Sequence, residues 1–119
     1  MQEKFKLNYD FDEDLLYMYS DSKKSSGSIE FGDLVIDLQK NGSVAGLEVF
    51  GASKYFSELT NKKITKNDLS KIEKAELSMS TKNGTVIIKV LLPLDGENVP
   101  ATIAIQDMNY KSPVLACLH

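Results

Sequence analysis

Two carboxylates interrupt otherwise apolar, alternating stretches of this 119-residue chain: Asp37 in LVIDL (34–38) and Glu48 in VAGLEVF (44–50). Asn41-Gly42 lies between them, and Asn-Gly is a strong hairpin signal because both residues tolerate positive φ. A hairpin there would bring Asp37 and Glu48 together as cross-strand neighbours. Paired carboxylates can serve acid/base chemistry when their environments push their pKa values apart, so these two are the candidate catalytic residues. The structural alternative is that they cap the helix start at Gly51-Ala52-Ser53, where free amides attract negative charge.

Asp10, Asp12 and Asp14 form a second set, at alternating positions that could wrap a hard cation such as calcium or magnesium in oxygen ligands. They are the candidate metal ligands, with Asp33 and Asp37 as sheet-borne additions. An EF-hand loop starting at Asp10 would need Gly at its sixth position and Glu at its twelfth; the chain has Leu15 and Asp21. Backbone-satisfying turn residues are the simpler reading. His119, the last residue of the sequence, is the sole histidine, so Cys117, the sole cysteine, has no histidine near it in a constrained place and reads as a small buried or edge hydrophobe rather than a nucleophile; no zinc-ligand cluster is present. No glycine-rich phosphate loop, nucleophile elbow or HExxH is present.

Composition narrows the classes further. All fourteen basic residues are lysine, against 17 acids, for a net charge of −3. Residues 1–60 carry 6 lysines and 11 acids; residues 61–119 carry 8 and 6. Without arginine there is no guanidinium fork for phosphates or guanines. The tyrosines that could stack on bases sit in the acidic half, which repels phosphate, so nucleic acid is disfavoured as a partner. Lys62, Lys63, Lys66, Lys71 and Lys74 alternate with acids and read as a solvated face. Apolar runs reach only four or five residues, so no membrane span is expected. One cysteine and no apolar leader point to a reducing, cytoplasmic setting.

The elements that must position these residues follow from periodicity. Phe5, Leu7, Tyr9 and Phe11 alternate with polar residues as a strand, and Leu15–Tyr19 pairs back across the acidic turn. Asp21–Ser28 reads as a polar loop. The Asn41-Gly42 hairpin follows, with Gly46 marking a bulge or a close approach. Ala52, Tyr55, Phe56 and Leu59 then place one helical face on a two-turn helix, and Thr65 with Asp68 opens a second over 66–73. Strands at 75–80 and 85–92 join through Asn83-Gly84, a further one covers 101–106, and Val114–Leu118 adds a short edge. The resulting expectation is an α+β fold: an antiparallel meander, one or two short helices, and a second antiparallel hairpin or meander (74–119), packed as one two-layer domain over 1–119.

Tyr9-Asp10, Asp14-x-Leu16-Tyr17, Gly32-Asp33-x-Val35-x-Asp37, Asn41-Gly42, Val44-x-Gly46-Leu47-Glu48-Val49 and Ala52-Ser53 together resemble the family known as domain of unknown function 2283. The resemblance covers roughly residues 5–60 and implies three or four antiparallel strands followed by a short helix. It carries no established activity, so it supplies no catalytic residues.

The leading functional expectation is a small soluble, non-catalytic interaction or structural module, acting as a homodimer or on a protein partner. The 85–92 strand, apolar on both faces, adds to this because small antiparallel sheets seldom bury both faces unaided. The alternative is a metal-dependent or hydrolytic enzyme built on the acids of the first sheet. An interaction module predicts a broad apolar or tyrosine-lined patch and no perturbed carboxylates; an enzyme predicts a cleft containing Asp37 and Glu48, or a metal ringed by acids.

Overall fold

A computed structural model describes residues 3–106. Ten elements follow one another: β1 (Glu3–Asp10), β2 (Leu15–Tyr19), β3 (Gly27–Phe31), β4 (Leu34–Leu38), β5 (Val44–Phe50), α1 (Ala52–Thr60), α2 (Lys66–Ser70), β6 (Lys74–Lys82), β7 (Thr85–Leu94) and β8 (Glu97–Gln106). All eight strands join one antiparallel sheet in the order β3-β4-β5-β2-β1-β6-β7-β8.

The expected α+β, two-layer arrangement is therefore corrected to a β-rich fold. The two groups of strands do not stack as separate layers. They are halves of one curled sheet, joined where β1 pairs with β2 on one side and β6 on the other. Helices of nine and five residues are too short to roof eight strands. The sheet instead curls around them, so that α1 touches both β5 and the far edge strand β8. Phe56, with no exposed surface, plugs the centre of that concave face. The stripe expected on α1 is narrower than its spacing suggested: Ala52 and Phe56 are buried, but Leu59 is exposed.

Turn chemistry explains most strand boundaries. Asn83 and Gly84 both adopt positive φ in a two-residue hairpin loop, the combination that matches sheet twist. Asp95-Gly96 repeats it, so β7 runs through Pro93 and β8 begins at Glu97, earlier than residue 101. Asn41-Gly42 behaves differently. Only Gly42 has positive φ, and its amide closes a turn on the Gln39 carbonyl at 2.9 Å. Strand β3 replaces the last part of the expected polar loop, because Ile29 is buried while Ser28 and Glu30 face out. The second helix has its expected capping box: Thr65 Oγ1 accepts from the Asp68 amide at 3.1 Å and Asp68 accepts from the Thr65 amide at 2.9 Å. The helix itself ends at Ser70, short of residue 73. The Val114–Leu118 strand, Cys117 and His119 lie outside the described residues.

Candidate functional site: the outer face of the sheet

The sheet has two faces of different chemistry. Phe5, Leu7, Leu16, Met18, Leu34, Ile36, Leu47 and Val49 fill the inner, concave one. On the outer face, register sets out a row of directly opposed residues across six strands: Ser28, Asp37, Gly46, Tyr19, Lys6 and Lys74. The next row is Glu30, Val35, Glu48, Tyr17 and Asn8.

A bulge in β5 puts Glu48 on this face. Asp37 opposes Gly46 while Leu38 opposes Val44, leaving Ala45 as the extra residue. Without that insertion the two-residue period would send Glu48 into the core and Leu47 out. With it, Ala45, Leu47 and Val49 are all buried. Asp37 and Glu48 accordingly meet as diagonal neighbours rather than as a directly opposed pair.

Gly46 makes room for both the acid and the ring beside it. A Cβ there would stand 2.9 Å from the Met18 carbonyl oxygen, 3.2 Å from Asp37 Oδ2 and 3.6 Å from Tyr17 Cε1. Into that notch lean the Asp37 carboxylate, which accepts from Ser28 Oγ at 2.6 Å, and Tyr17, whose ring stacks on Tyr19 with centroids 5.2 Å apart and planes at 18°. Partial burial, then the nearby Asp37 charge, raise the Glu48 carboxyl above its ordinary value. Burial, with Asp37 and Glu48, likewise raises the Tyr17 phenol. This surface presents two stacked phenols beside two carboxylates. It is a half-buried, open face rather than a cleft.

The first acidic segment does something else. Asp14, at φ 51°, accepts from Tyr9 Oη at 2.5 Å, from the Ser53 amide at 3.0 Å and from Ser53 Oγ at 2.7 Å. Its carbonyl takes the Ala52 amide at 2.9 Å. Gly51, the residue that precedes helix α1, has no side chain to cap it, and four amides at a helix start need partners. Asp14 supplies the cap from 39 residues upstream. The capping role considered for Asp37 and Glu48 thus belongs to Asp14. Burial works against its charge, but the bonds from Tyr9 and Ser53, with Lys66 nearby, hold its carboxyl below the ordinary value. Asp10 accepts from the Glu13 amide at 3.1 Å, an ordinary turn bond. Among the described residues, no group of three acids or other ligating side chains is placed to hold a metal. Asp33 and Asp37 sit at β4, with β5 and β2 between them and β1.

Periodicity found the acids and placed Tyr9 on a strand, but it tied neither Tyr9 and Ser53 to Asp14 nor Lys6 to Lys74. The bare glycine at the start of α1 was a signal that some distant side chain must serve it. The lysine row depends on β1–β6 pairing, a long-range contact that no local pattern encodes.

Residues 6–53 match the model of the family described as protein of unknown function (DUF2283). That segment contains both clusters. Asp14 and Ser53 hold the helix start, while Tyr17, Asp37, Gly46 and Glu48 make the outer-face group. The resemblance implied three or four strands before the helix; the structure has five. An uncharacterized protein of Methanocaldococcus jannaschii is 39% identical over 54 residues, covering 45% of this chain and 47% of that one. A protein of Methanosarcina mazei named "Putative hypoxanthine phosphoribosyltransferase" is 26% identical over 87 residues, covering 71% of this chain and 66% of that one. The chain therefore spans about half to two thirds of the curated relatives it matches. No solved structure matches. Among the described residues, no helix is long and apolar enough to cross a membrane.

Proposed function

We propose that this protein is a non-catalytic interaction module whose binding surface is the outer face of β4, β5 and β2, and that it takes a cationic protein surface. The observation that carries this reading is the Tyr17–Tyr19 stack flanked by Asp37 and Glu48 over the Gly46 notch. Tyrosines provide contact area at low entropic cost. A lysine or arginine approaching their faces gains cation–π attraction in addition to the carboxylates. Phe50, 44% exposed, and Leu15, its cross-strand neighbour, extend the same face with apolar area.

The name of the Methanosarcina mazei relative is not adopted for this chain. A phosphoribosyl group asks for amide cradles or cations around its phosphates, whereas this face offers carboxylates and phenols. An enzyme using Asp37 and Glu48 would need them to enclose a substrate, and they stand on an open sheet.

Titration of the isotope-labelled protein with a lysine-rich peptide at low salt tests the reading. Amide shifts should concentrate at Tyr17, Tyr19, Asp37 and Glu48 and disappear in the Asp37→Asn/Glu48→Gln protein. Shifts confined to other strands, or none, would refute it.

A further inference from the structure

The outer face is acidic on one side of its tyrosines and basic on the other, and the two sides are arranged symmetrically about β2. Counting strands from β2, Glu48 lies one away and Asp37 two away on one side; Lys6 lies one away and Lys74 two away on the other. Asp37, Tyr19, Lys6 and Lys74 share a single register row. With strands about 4.8 Å apart, Asp37 and Lys74 stand roughly 10 Å to either side of the tyrosine stack.

Lys6 and Lys74 oppose each other directly across β1 and β6, and like charges in that position destabilise a sheet. Asp21 pairs with Lys6, but among the described residues no ion pair engages Lys74. The exposed hollow beside these lysines, about 280 Å³, is bounded by Lys4, Lys6, Lys74, Ser20 and Asp21. The Lys6–Asp21 ion pair cancels its own charge, which leaves Lys74 and Lys4 as the remaining cations, with Glu76 across from Lys4. This side therefore keeps a surplus of positive charge, with Asp21 and Glu76 set against Lys4, Lys6 and Lys74, while the opposite side holds Glu30, Asp37 and Glu48 and no lysine on β3, β4 or β5.

Resting on the interaction-module reading, we infer that the cationic partner is a second copy of this chain, docked face to face about a two-fold axis running along β2. Rotation about that axis reverses the strand order and preserves position along the strands. It lays Asp37 of one copy over Lys74 of the other, and brings Glu48 within diagonal reach of Lys6. The Tyr17–Tyr19 pairs meet at the axis. Because the contact is isologous, each charge pair forms twice. Facing sheets pack about 10 Å apart, a gap that tyrosine and lysine side chains span. A face of five short strands is small among protein interfaces, so the dimer is expected in the micromolar range and to weaken with salt.

The test is analytical ultracentrifugation of Asp37→Lys, Lys74→Glu and their equimolar mixture, with circular dichroism confirming that each protein folds. Each variant alone places like charges at both contacts and should self-associate at least about tenfold more weakly than wild type. The mixture restores opposite charges at both contacts and should form a one-to-one heterodimer. A wild-type protein that stays monomeric, variants that associate as wild type does, or a mixture without heterodimer would overturn the two-fold assignment. Should either variant fail to fold, Asp37→Asn and Lys74→Gln are measured in its place, with the same weakening expected and unchanged association overturning the inference. The Lys74→Glu protein retains the whole tyrosine and acid cluster. Peptide-induced shifts in it separate failure of the dimer from failure of the underlying reading.

Discussion

The chain carries two acidic clusters that are opposite in physical state. Asp14 is tied down by Tyr9 and Ser53, and its carboxyl is held below the ordinary value. Glu48 has no comparable donors; burial and its neighbour Asp37 raise it. Asp14 stabilises the fold by being charged. Glu48 costs stability by being charged, and a costly charge on an open face is a charge available to a partner. Acidic residues in one domain therefore divide into those satisfied internally and those left without such donors on an open face.

The largest effect expected comes from Gly46, which lies beneath the outer-face cluster. In Gly46→Ala the new methyl meets the Met18 carbonyl at 2.9 Å, a backbone atom that cannot swing aside. Overpacking of this kind costs about 1–3 kcal/mol, readable as a lower midpoint in urea. A neutral result would show that β5 shifts freely and that the notch is not a constraint.

Asp14→Ala comes next. It removes the cap of α1, and losing a capping side chain costs about 1–2 kcal/mol, seen as a fall of several degrees in thermal midpoint. Tyr9→Phe removes only one of the bonds and should cost about 1 kcal/mol. If Asp14→Ala proves as mild as an exposed substitution, the contrast between the clusters is lost.

The smallest effect has the opposite sign. Glu48→Gln removes an ionisation that the fold disfavours, and should stabilise at neutral pH by about 0.2–1 kcal/mol, the scale of a cross-strand pair. The pH dependence follows from the directions of the shifts. Asp14, lowered in the fold, contributes stability above its unfolded value and loses it as pH falls through the folded one. Glu48, raised, imposes its cost above its folded value and releases it as pH falls through that value. Asp14→Asn should flatten the acid limb of the stability curve, whereas Glu48→Gln should steepen it. Thermal melts across the acid range distinguish these.

Much of the fold was legible because strand periodicity and turn chemistry are local. The Asn83-Gly84 hairpin and the Thr65–Asp68 capping box are each encoded within a few residues, whereas the Asp95-Gly96 hairpin was hidden by Pro93 and Pro100, which shortened the expected strands to 85–92 and 101–106. The architecture was not. Whether two antiparallel groups stack or share a sheet depends on β1 pairing with β6, some seventy residues apart, and the expected two-layer α+β packing missed that. Strand β3 escaped because Gly27-Ser28 extends a polar segment and only Ile29 is fully buried in it. The candidate acids were visible as charges in apolar strands, but their relation depended on the Ala45 bulge, which a lone Gly46 only hints at. Asp14 looked like a turn residue or metal ligand because its true partner, Ser53, is distant in sequence.

In the proposed assignment, Asp37 and Glu48 serve recognition while Asp14 serves the fold. Measuring self-association and thermal midpoint together on Asp37→Asn/Glu48→Gln tests it most directly. The expected double variant is at least as stable as wild type, with self-association weakened about tenfold or more. A protein that melts several degrees lower, or that associates as tightly as wild type, would contradict it.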